Sequence, residues 1–393
     1  MKIAIDTLFL GQKFQHTGTA VYLKNVLNEC LRICETNPQD MEFHGFASPN
    51  DGWNRGDLAS RFLQVHKAAI LRKRSFWLLG GMALRTMRVH PDLVFLPTAH
   101  HSLPGPWVPV VTTILDAMPK RLSPDLIGRG FPPLHAMTWI NARLASRVMT
   151  ISSWSKQDLI EIYNLNPEKV DVVHLGFDKG LYNDIPPDVE ESAALLSRLR
   201  IRRPFILHHG MVQLRKNVHR LIQAWDRIRE RHKEFDAQLV LAGPTGFGHE
   251  EILRAREASP NRDQIILTGA LSDGELAIVV KNASLCVIPS LYEGFCLPMV
   301  ESMACGVPTV ASSGSCIPEI SGGVLEYFDP FSIEEMGETI RRALEDSDLR
   351  DRLRRKGLIR AGDFSWERCA LETLRVFRET VAESGRTLSA ASL

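Results

Sequence analysis

Short apolar runs alternate with longer helical patterns along the whole chain. In the first half the runs rich in Val and Ile are KIAIDTLFL, DLVFLP, VPVVTTIL, RVMTIS and VDVVHL. Continuous apolar strands that alternate with helices are typical of a parallel sheet covered on both faces. Helical patterns begin near Thr19 and near Ser155, each directly after such a run. The pattern predicts a doubly wound α/β domain.

A second series of the same kind fills the other half of the chain. Its apolar runs are PFILHHG, AQLVLAGP, QIILTG, ASLCVIPS and VPTVASS, and its helical patterns include 217–233 and 334–346. Prolines and charges mark a crossing segment between the two series, and we place the boundary inside 183–203. We predict an N-terminal domain at 1–190 and a C-terminal domain at 200–365. The two Rossmann-like domains are expected to face each other across a cleft at the carboxyl ends of their sheets, with the last helix, within 366–393, packing back on the first domain.

Length, charge and cysteine content narrow the class of protein. A chain of 393 residues exceeds what one core usually supports, and 47 basic residues nearly balance 46 acidic ones, which argues against nucleic-acid binding through global charge. Seven cysteines without a CxxC pair indicate reduced thiols and a cytoplasmic protein. The N-terminal MKIAIDTLFLG, interrupted by Asp6, predicts a strand rather than a signal peptide. The sequence has no run of 18 consecutive apolar residues, so it does not predict an integral membrane protein.

The stretch YEGFCLPMVESMACGVP at 292–308 carries two glutamates eight positions apart, Glu293 in a Gly-rich turn and Glu301 inside a predicted helix. Gly294 permits an unusual turn, and Pro298 suits the first position of a helix. Backbone amides just before the helix would then form an anion- or hydroxyl-binding surface. Paired carboxylates in a cleft suit the vicinal hydroxyls of a sugar, while the simpler alternative is that they only complement the helix dipole.

A second candidate site lies in HHGMVQLRKNVHRLI, at 208–222. Gly210 follows a strand, Arg215 and Lys216 are adjacent, and a helix is predicted to open after Asn217. Two cations at such a turn can neutralise a diphosphate, the guanidinium by paired contacts and the ammonium as a point charge. The alternative is a solvated basic pair. Because no DxD motif stands at a convincing strand end, we expect these cations to replace a metal ion.

These blocks occur in an order that resembles a known family. The pattern strand-Gly-x4-RKN is followed by LVLAGP, IILTGALSDGEL, PSLYEGFCLPMVESMACGVPTVAS, SCIPEISGG and FSWE. The sequence is similar to the retaining glycosyltransferases of family 4, or group 1, which have the GT-B fold and an E-x7-E motif. The resemblance is dense over 205–368 and thinner in TILDAMP and ISSWSKQDLI. It implies an enzyme that transfers a sugar from a nucleotide donor.

The resemblance also implies roles for individual residues. Glu293 would lie beside the donor hexose, Glu301 would bind the ribose hydroxyls, and Arg215 with Lys216 would grip the diphosphate. The other positions that it assigns to substrate binding are Gly210, Gly294, the amides of Phe295, Cys296 and Leu297, the loop glycines Gly11 and Gly18 near the phosphates, and Leu271 and Leu276 beside the base.

Two positions depart from the family pattern. Many members read TIHD where this chain has Leu115 before Asp116, so the histidine often assigned to the hexose is absent. Asp116 remains as a catalytic or sugar-binding carboxylate, and His100 or His101 either supplies a replacement imidazole or is simply solvated. Met211 stands where many members have an arginine, so Arg215 must provide that cation.

The implied function is a retaining hexosyltransferase that needs no metal or other cofactor. The expected donor is UDP-glucose in the first place or GDP-mannose in the second, and the acceptor is a glycan or lipid-linked sugar in cell-surface polysaccharide synthesis. The expected chemistry is front-face substitution, with a covalent route through Glu293 as the less favoured variant. Alternatives are a non-catalytic sugar-nucleotide-binding subunit, a GT-B sugar-nucleotide epimerase and a phosphorylase. A dinucleotide-dependent oxidoreductase is disfavoured because no GxGxxG follows a strand.

Residues 66–89, HKAAILRKRSFWLLGGMALRTMRV, combine basic and aromatic side chains without an acidic residue. Such a segment can lie on an anionic bilayer and bring the protein to the inner face of the cell membrane, or it can form a partly buried helix with solvated basic groups.

Overall fold

The computed structural model describes residues 1–7, 10, 18–36, 41–47, 63–67, 86, 88–99, 108–128 and 132–385. The chain divides into two compact units, which take their described residues from Met1–Ala117, Gly130–Gly176 and Trp366–Leu393 in the first, and from Met118–Arg129 and Phe177–Ser365 in the second. The domain ranges 1–190 and 200–365 remain predictions. Most of the basic segment 66–89 lies outside the described residues.

The described strands form two parallel sheets. In chain order they are β1 (Lys2–Asp6), β2 (Glu42–Ala47), β3 (Leu63–Lys67), β4 (Leu93–Leu96), β5 (Val110–Thr113), β6 (Arg147–Thr150), β7 (Val170–Val172), β8 (Phe205–His209), β9 (Gln238–Ala242), β10 (Ile265–Gly269), β11 (Leu285–Ile288), β12 (Thr309–Ser312) and β13 (Glu326–Phe328).

The described helices fill the connections between the strands. In chain order they are α1 (Gly18–Thr36), α2 (Met118–Arg121), α3 (Pro124–Ile127), α4 (Pro132–Leu144), α5 (Ser153–Tyr163), α6 (Val189–Arg198), α7 (Val218–Arg231), α8 (His249–Ala258), α9 (Asp273–Asn282), α10 (Leu297–Ala304), α11 (Ile317–Ser321), α12 (Ile333–Glu345), α13 (Ser347–Ala361) and α14 (Trp366–Glu383).

The strand order of both sheets confirms the doubly wound α/β class. Among the described residues the first unit has the order β3-β2-β1-β4-β5-β6-β7, and the second has β10-β9-β8-β11-β12-β13. The strand pairings within the described part of both sheets are all parallel. The order reverses direction between β1 and β4 in one sheet and between β8 and β11 in the other. In open sheets of this kind, ligands bind outside the carboxyl ends of the strands at such a reversal.

In the first unit the last helix packs against the first helix and the sheet. Cys30 of α1 lies with its Sγ atom 3.9 Å from the carbonyl oxygen of Ala370 in α14. The rings of Phe95 on β4 and Phe377 on α14 are 5.0 Å apart between centroids. Arg147 of β6 pairs with Glu383 at the C-terminal end of α14, and it lies 3.1 Å from Asp171. Apolar burial and a polar cluster therefore both hold α14 on this unit.

In the second unit the core fills the space between the sheet and the helices on one face. Trp225 of α7 is fully buried and meets Phe235 edge-to-face, with the ring centroids 5.4 Å apart. α7 and α12 carry apolar side chains at helical spacing, among them Leu221, Ile222 and Ile340, and all three are buried in the same core cluster. The apolar core therefore lies between the sheet and its helices, and polar residues lie at the carboxyl ends of the strands.

Candidate active site

A tight turn follows β8 and sets the direction of the chain at the reversal of strand order. Gly210 has φ of 111°, and its N–H donates to the carbonyl oxygen of Ala242 at 2.9 Å. The neighbouring turn after β9 approaches so closely that a Cβ atom on Gly243 would lie 2.0 Å from the carbonyl oxygen of Gly210. Two glycines in contact therefore allow the segments after β8 and β9 to leave the sheet side by side.

The basic pair lies one short turn beyond Gly210. A 3₁₀ turn spans Leu214–Lys216, and Asn217 adopts the left-handed conformation before α7, so the helix opens where the sequence predicted. The Asn217 side-chain amide donates to the carbonyl oxygens of Pro289 at 3.0 Å and Pro330 at 2.7 Å. This amide ties the basic turn to the segments that follow β11 and β13.

Arg215 and Lys216 converge on Glu293. The ammonium of Lys216 donates to Oε1 of Glu293, and Nη1 of Arg215 lies 3.4 Å from Oε2 of the same carboxylate. The Ser290 hydroxyl donates to Oε1 at 2.6 Å, and the backbone N–H of Glu293 donates to the hydroxyl of Ser315 at 2.9 Å. The two sequence blocks thus meet in one hydrogen-bonded cluster between β8 and β11. Lys216 is buried, so the alternative that the basic pair is simply solvated is wrong for this residue.

Glu293 stays ionised in this cluster despite its burial. Burial alone raises the pKa of a carboxyl group, but the charges of Lys216 and Arg215 and the donated hydrogen bonds outweigh it and lower the pKa of Glu293 to about 2. A permanent carboxylate between two cations leaves the cluster with a net positive charge. Such a site attracts an anionic ligand while retaining an acceptor for hydroxyl groups.

The helix α10 begins directly after this cluster. Leu297 is its first residue and Pro298 its second, where a proline lacks an N–H that the helix does not use. The left-handed residue of the turn is Cys296, with φ of 71° and ψ of 63°, and Gly294 is not among the residues with positive φ. The expectation that Gly294 provides the unusual backbone turn is therefore wrong, because that conformation falls two residues later. Among the described residues no side chain caps this helix, and the N–H groups of Met299 and Val300 donate to the carbonyl oxygen of Cys296 at 3.1 Å and 3.4 Å, so what the helix offers the site is chiefly the positive end of its dipole.

Glu301 lies one turn into α10, beside His209 at the end of β8. Its Oε2 atom is 3.8 Å from Nδ1 of His209, and its side chain is 17% exposed. Burial, followed by the negative charges of Asp273 and Asp178, raises the pKa of Glu301 to about 8. The pKa values of the two glutamates of the E-x7-E element are therefore shifted in opposite directions, since Glu293 is held by two cations and Glu301 is buried near two carboxylates.

His209 has a defined tautomer. Its Nε2 atom lies 3.0 Å from the carbonyl oxygen of Pro298 and 2.9 Å from the hydroxyl of Ser302. Because a carbonyl oxygen only accepts, Nε2 carries the proton and Nδ1 presents a lone pair towards Glu301. Burial and the nearby His208 lower the pKa of His209 to about 3, so the ring is neutral.

The two predicted leucines lie at the start of α9. Leu271 and Leu276 are half-buried and flank a capping box, in which Ser272 accepts from the N–H of Glu275 at 3.3 Å and Glu275 accepts from the N–H of Ser272 at 2.9 Å. This box fixes the point at which the helix begins. The proposed contact of Leu271 and Leu276 with a base stays a prediction.

The remaining predicted residues lie in the first unit. Asp116 and Leu115 follow β5 and are half-buried, and the negative charge of Asp116 adds to burial in raising the pKa of Tyr163. Gly18 is the exposed first residue of α1, and a Cβ atom there would have nothing within 4 Å. Gly11, His100 and His101 lie outside the described residues.

Sequence reasoning missed four side chains that complete the second-unit site. These are His209, Ser290, Ser315 and Tyr182, whose pKa is raised by burial and by the charges of Glu301 and Asp273. Single polar residues next to apolar runs carry no spacing pattern. The one available signal was that His208 and His209 end a strand otherwise made of apolar residues.

The described residues also bear on metal binding and on membrane insertion. In the described ranges, no group of three or more His, Cys, Asp or Glu residues is arranged to hold a metal ion. The described helices also include none with the length and apolar character that crossing a bilayer requires. Independence from metal remains a prediction.

Comparison with known proteins finds a family match within the second unit. The family described as glycosyl transferases group 1 matches residues 197–359. O-antigen chain mannosyltransferase B of Escherichia coli is 27% identical over 60% of this chain and 61% of its own length. MMP alpha-(1->4)-mannosyltransferase of Mycolicibacterium hassiacum is 31% identical over 61% of this chain and 56% of its own. The matches thus span less than two thirds of these relatives.

The fold of the whole chain has a close counterpart among solved structures. Sucrose-phosphate synthase from Thermosynechococcus elongatus superimposes with a TM-score of 0.76 at 19% identity, covering 98% of this chain and 100% of that one. At this identity the likeness establishes the fold alone, and it confirms the GT-B class expected from the sequence.

Proposed function

Residues 197–359 form a group 1 glycosyl transferase domain, and on this premise we propose that the protein is a retaining mannosyltransferase. The donor is a nucleoside-diphosphate mannose, with GDP-mannose as the first choice. The names of the relatives support mannose and move the expectation away from UDP-glucose. The acceptor is a glycan or lipid-linked sugar in cell-surface polysaccharide synthesis, and the enzyme works in the cytoplasm.

The observation that carries this proposal is the convergence of Lys216, Arg215 and Glu293 between β8 and β11. A diphosphate placed here meets two fixed cations and the positive end of the α10 dipole. Glu293 is the acceptor within reach of the same cations, and it suits the hydroxyl groups of the hexose. The reversal of strand order is where this class of sheet binds nucleotides.

The cations accelerate the reaction because they stabilise charge that grows during donor cleavage. As the bond between C1 of the hexose and the phosphate oxygen breaks, negative charge collects on the leaving diphosphate, close to Lys216 and Arg215. The acceptor oxygen forms its bond to C1 on the same face, and its proton passes to the leaving phosphate oxygen. Glu293, held as a carboxylate, orients the hexose and stabilises the positive charge that develops at C1.

Glu301 takes the ribose hydroxyls, and Leu271 with Leu276 borders the base. The roles that the sequence resemblance gives to Gly18 and Asp116 of the first unit, in binding the phosphates and the acceptor, remain predictions. No metal ion is required in this scheme, since the two cations and the positive end of the α10 dipole balance the charge of the diphosphate.

The experiment that tests the proposal is donor turnover by the full chain. Release of nucleoside diphosphate from GDP-mannose and from UDP-glucose would be measured in excess EDTA, with and without a lipid-linked sugar acceptor. Lys216→Ala and Glu293→Gln are each expected to lower the rate by roughly 100-fold or more. The matched control is Arg227→Ala, which removes an exposed cation paired with Glu334 on the same unit.

The outcomes separate the alternatives. Turnover at the parent rate in Lys216→Ala and Glu293→Gln would contradict the enzyme as drawn. Nucleotide binding without turnover of either donor would favour the non-catalytic subunit, which the presence of Leu115 before Asp116 keeps in consideration. Loss of turnover in EDTA that returns with a divalent ion would overturn metal independence only.

A further inference from the structure

The last residue of β8, His209, uses one ring nitrogen and leaves the other without a partner. Its Nε2 atom lies 3.0 Å from the carbonyl oxygen of Pro298 and 2.9 Å from the hydroxyl of Ser302, both on α10. Its Nδ1 atom is buried and has no hydrogen-bond partner in the part of the chain that the structure describes. A buried acceptor without a donor costs free energy, so this lone pair indicates a contact that forms in one state of the protein.

The carboxyl group of Glu301 is placed to supply the donor. Its Oε2 atom lies 3.8 Å from Nδ1 of His209. Glu301 follows Pro298 by three positions on α10, so the contact of Nε2 with this helix also fixes the position of Nδ1 relative to the carboxyl group. The separation exceeds a hydrogen bond by about 1 Å, and rotation about the last bonds of the glutamate side chain closes such a gap.

The charges around the pair favour a protonated carboxyl group. Burial first, and then Asp273 of α9 and Asp178 of the segment after β7, raise the pKa of Glu301, and Lys216 opposes them. Burial is also the main reason that the pKa of His209 falls to about 3. A carboxylic acid has one O–H to donate, and a neutral imidazole has one nitrogen to accept it.

Other ionisable groups of the second unit face Glu301 as well. They include the hydroxyl of Tyr182 and the thiols of Cys286 on β11 and Cys305 at the end of α10. Burial is the largest cause that raises the pKa of each, and the charge of Glu301 adds to it. All three are therefore neutral at pH 7. Thiols are weak acceptors, so Tyr182 is the group that competes with His209 for the carboxyl proton.

We propose that in the ligand-free protein the carboxylic acid of Glu301 donates a hydrogen bond to Nδ1 of His209, and that nucleotide binding breaks this contact. His209 is then a positioning residue, which acts on the ligand only through Glu301. The second half of the proposal rests on the proposed function, since it takes Glu301 as the carboxylate that accepts the ribose hydroxyls.

A proton leaves the protein when the nucleotide binds. Two ribose hydroxyls are donors, so they bind the carboxylate and not the acid. The O–H bond of Glu301 breaks, its electron pair stays on the carboxylate, and the proton passes to the buffer, because His209 with a pKa of about 3 does not keep it. At pH 7, below the pKa of about 8 for Glu301, binding should release about one proton per nucleotide. Titration calorimetry in buffers of different ionisation enthalpy measures this number.

The first test removes the acceptor with His209→Val, since valine suits a buried strand and has no lone pair. The acid form of Glu301 loses a hydrogen bond, so its ionisation should move down by about one pH unit. Affinity for GDP or UDP should then rise roughly fivefold at pH 7 and stay level at pH 9. A purely structural role for His209 would instead weaken binding at both pH values, and that result would overturn the proposal.

Two further variants separate this contact from its neighbours. Ser302→Ala is the matched control, because it removes a neighbour of Nε2 and leaves both Nδ1 and the Pro298 carbonyl in place. Its pH profile should follow that of the parent. Tyr182→Phe removes the competing hydroxyl and should also keep the midpoint of the parent. A shifted midpoint in Tyr182→Phe with none in His209→Val would assign the proton to the tyrosine and overturn the proposal.

A second measurement needs neither a nucleotide nor a change in β8. The ¹⁵N NMR shift of Nδ1 in His209 reports whether a donor lies on its lone pair. In the ligand-free parent it should titrate near pH 8, as the Glu301 proton leaves, and in Glu301→Ala it should stay at the value of a free lone pair. The value of a free lone pair at every pH in the parent would overturn the proposal even if nucleotide binds. A titrating shift in a protein that binds neither GDP nor UDP would support the contact and contradict the proposed function instead.

Discussion

Oε2 of Glu301 lies 3.8 Å from Nδ1 of His209, an atom that carries a lone pair and has no hydrogen-bond partner among the described residues. His209 is neutral, so it brings no positive charge to Glu301. Burial, Asp273 and Asp178 therefore outweigh the opposing charge of Lys216, and the pKa of Glu301 rises to about 8. In the absence of ligand, the carboxyl group is mostly protonated at neutral pH.

The first prediction concerns the pH dependence of nucleotide binding. If Glu301 accepts two ribose hydroxyls, the carboxylate form binds better than the acid form. Affinity for a nucleoside diphosphate should then rise by about tenfold between pH 7 and pH 9, as the group with a pKa of about 8 ionises. Isothermal titration at several pH values measures this.

Glu301→Gln provides the control for that prediction, because the amide does not titrate. Its affinity should be lower than that of the parent at pH 9 and should stay level over the same window, apart from changes that come from the nucleotide itself. Equal pH profiles for parent and variant would show that Glu301 does not sense the ligand.

The second prediction concerns stability in acid. The pKa of Glu293 is about 2 in the folded protein, against an ordinary value of 4.5. A lowered pKa gives a stabilising contribution that is complete above pH 4.5 and is lost as the pH falls towards 2. The contribution is about 3 kcal/mol by linkage. The free energy of unfolding by urea, measured between pH 6 and pH 2.5, should fall more steeply in the parent than in Glu293→Gln.

Glu250→Gln is the matched control, since Glu250 is exposed in the first turn of α8. It should follow the parent curve. A constant difference between parent and Glu293→Gln at all pH values would mean that Lys216 and Arg215 do not hold this carboxylate in the folded state.

The third prediction concerns the paired turns after β8 and β9. Gly243 has φ of 146°, and a Cβ atom there would lie 2.0 Å from the carbonyl oxygen of Gly210, which is a backbone atom that cannot turn away. Gly243→Ala should therefore lower the free energy of unfolding by about 2–4 kcal/mol. It should also weaken nucleotide binding, because Arg215 and Lys216 follow the turn at Gly210.

Gly274→Ala tests whether that loss is specific. Gly274 lies in the first turn of α9, and a Cβ atom there would have nothing within 4 Å. Alanine favours a helix, so this variant should be as stable as the parent or more stable by about 0.5–1 kcal/mol. Similar losses in both variants would show that the contact between the two turns is not what constrains Gly243.

Much of the fold could be predicted because parallel sheets repeat one pattern. The apolar runs of β1 and of β4 to β12 are continuous, and each precedes a helical pattern or a turn. The strands β2, β3 and β13 were missed, since EFHGFA, LQVHK and EYF mix polar residues into short segments. Their pairing depends on neighbouring strands that a local pattern does not contain.

The candidate site shows the same limit at the level of single residues. The segments around Lys216 and Glu293 could be found because their motifs follow one another in the order typical of the family that the sequence resembles. The spacing could not show that the two meet, that Ser290 completes the cluster, or that Cys296 rather than Gly294 adopts the left-handed conformation. Those features depend on the distance between segments that are 77 residues apart in the chain.

The last prediction concerns α14, the helix that returns to the first unit. Phe377 is 1% exposed and packs on Phe95 of β4, whereas Leu371 on the same helix is 50% exposed. Phe377→Ala should therefore cost about 3–5 kcal/mol of unfolding free energy, and Leu371→Ala should stay within about 0.5 kcal/mol of the parent. Urea unfolding followed by circular dichroism measures both.

Because Phe377 contacts the first unit, the loss should appear in the transition that a nucleotide bound to the second unit does not shift. Equal small effects from the two variants would mean that α14 contributes little to the first unit, and that the contact with Phe95 does not hold it there.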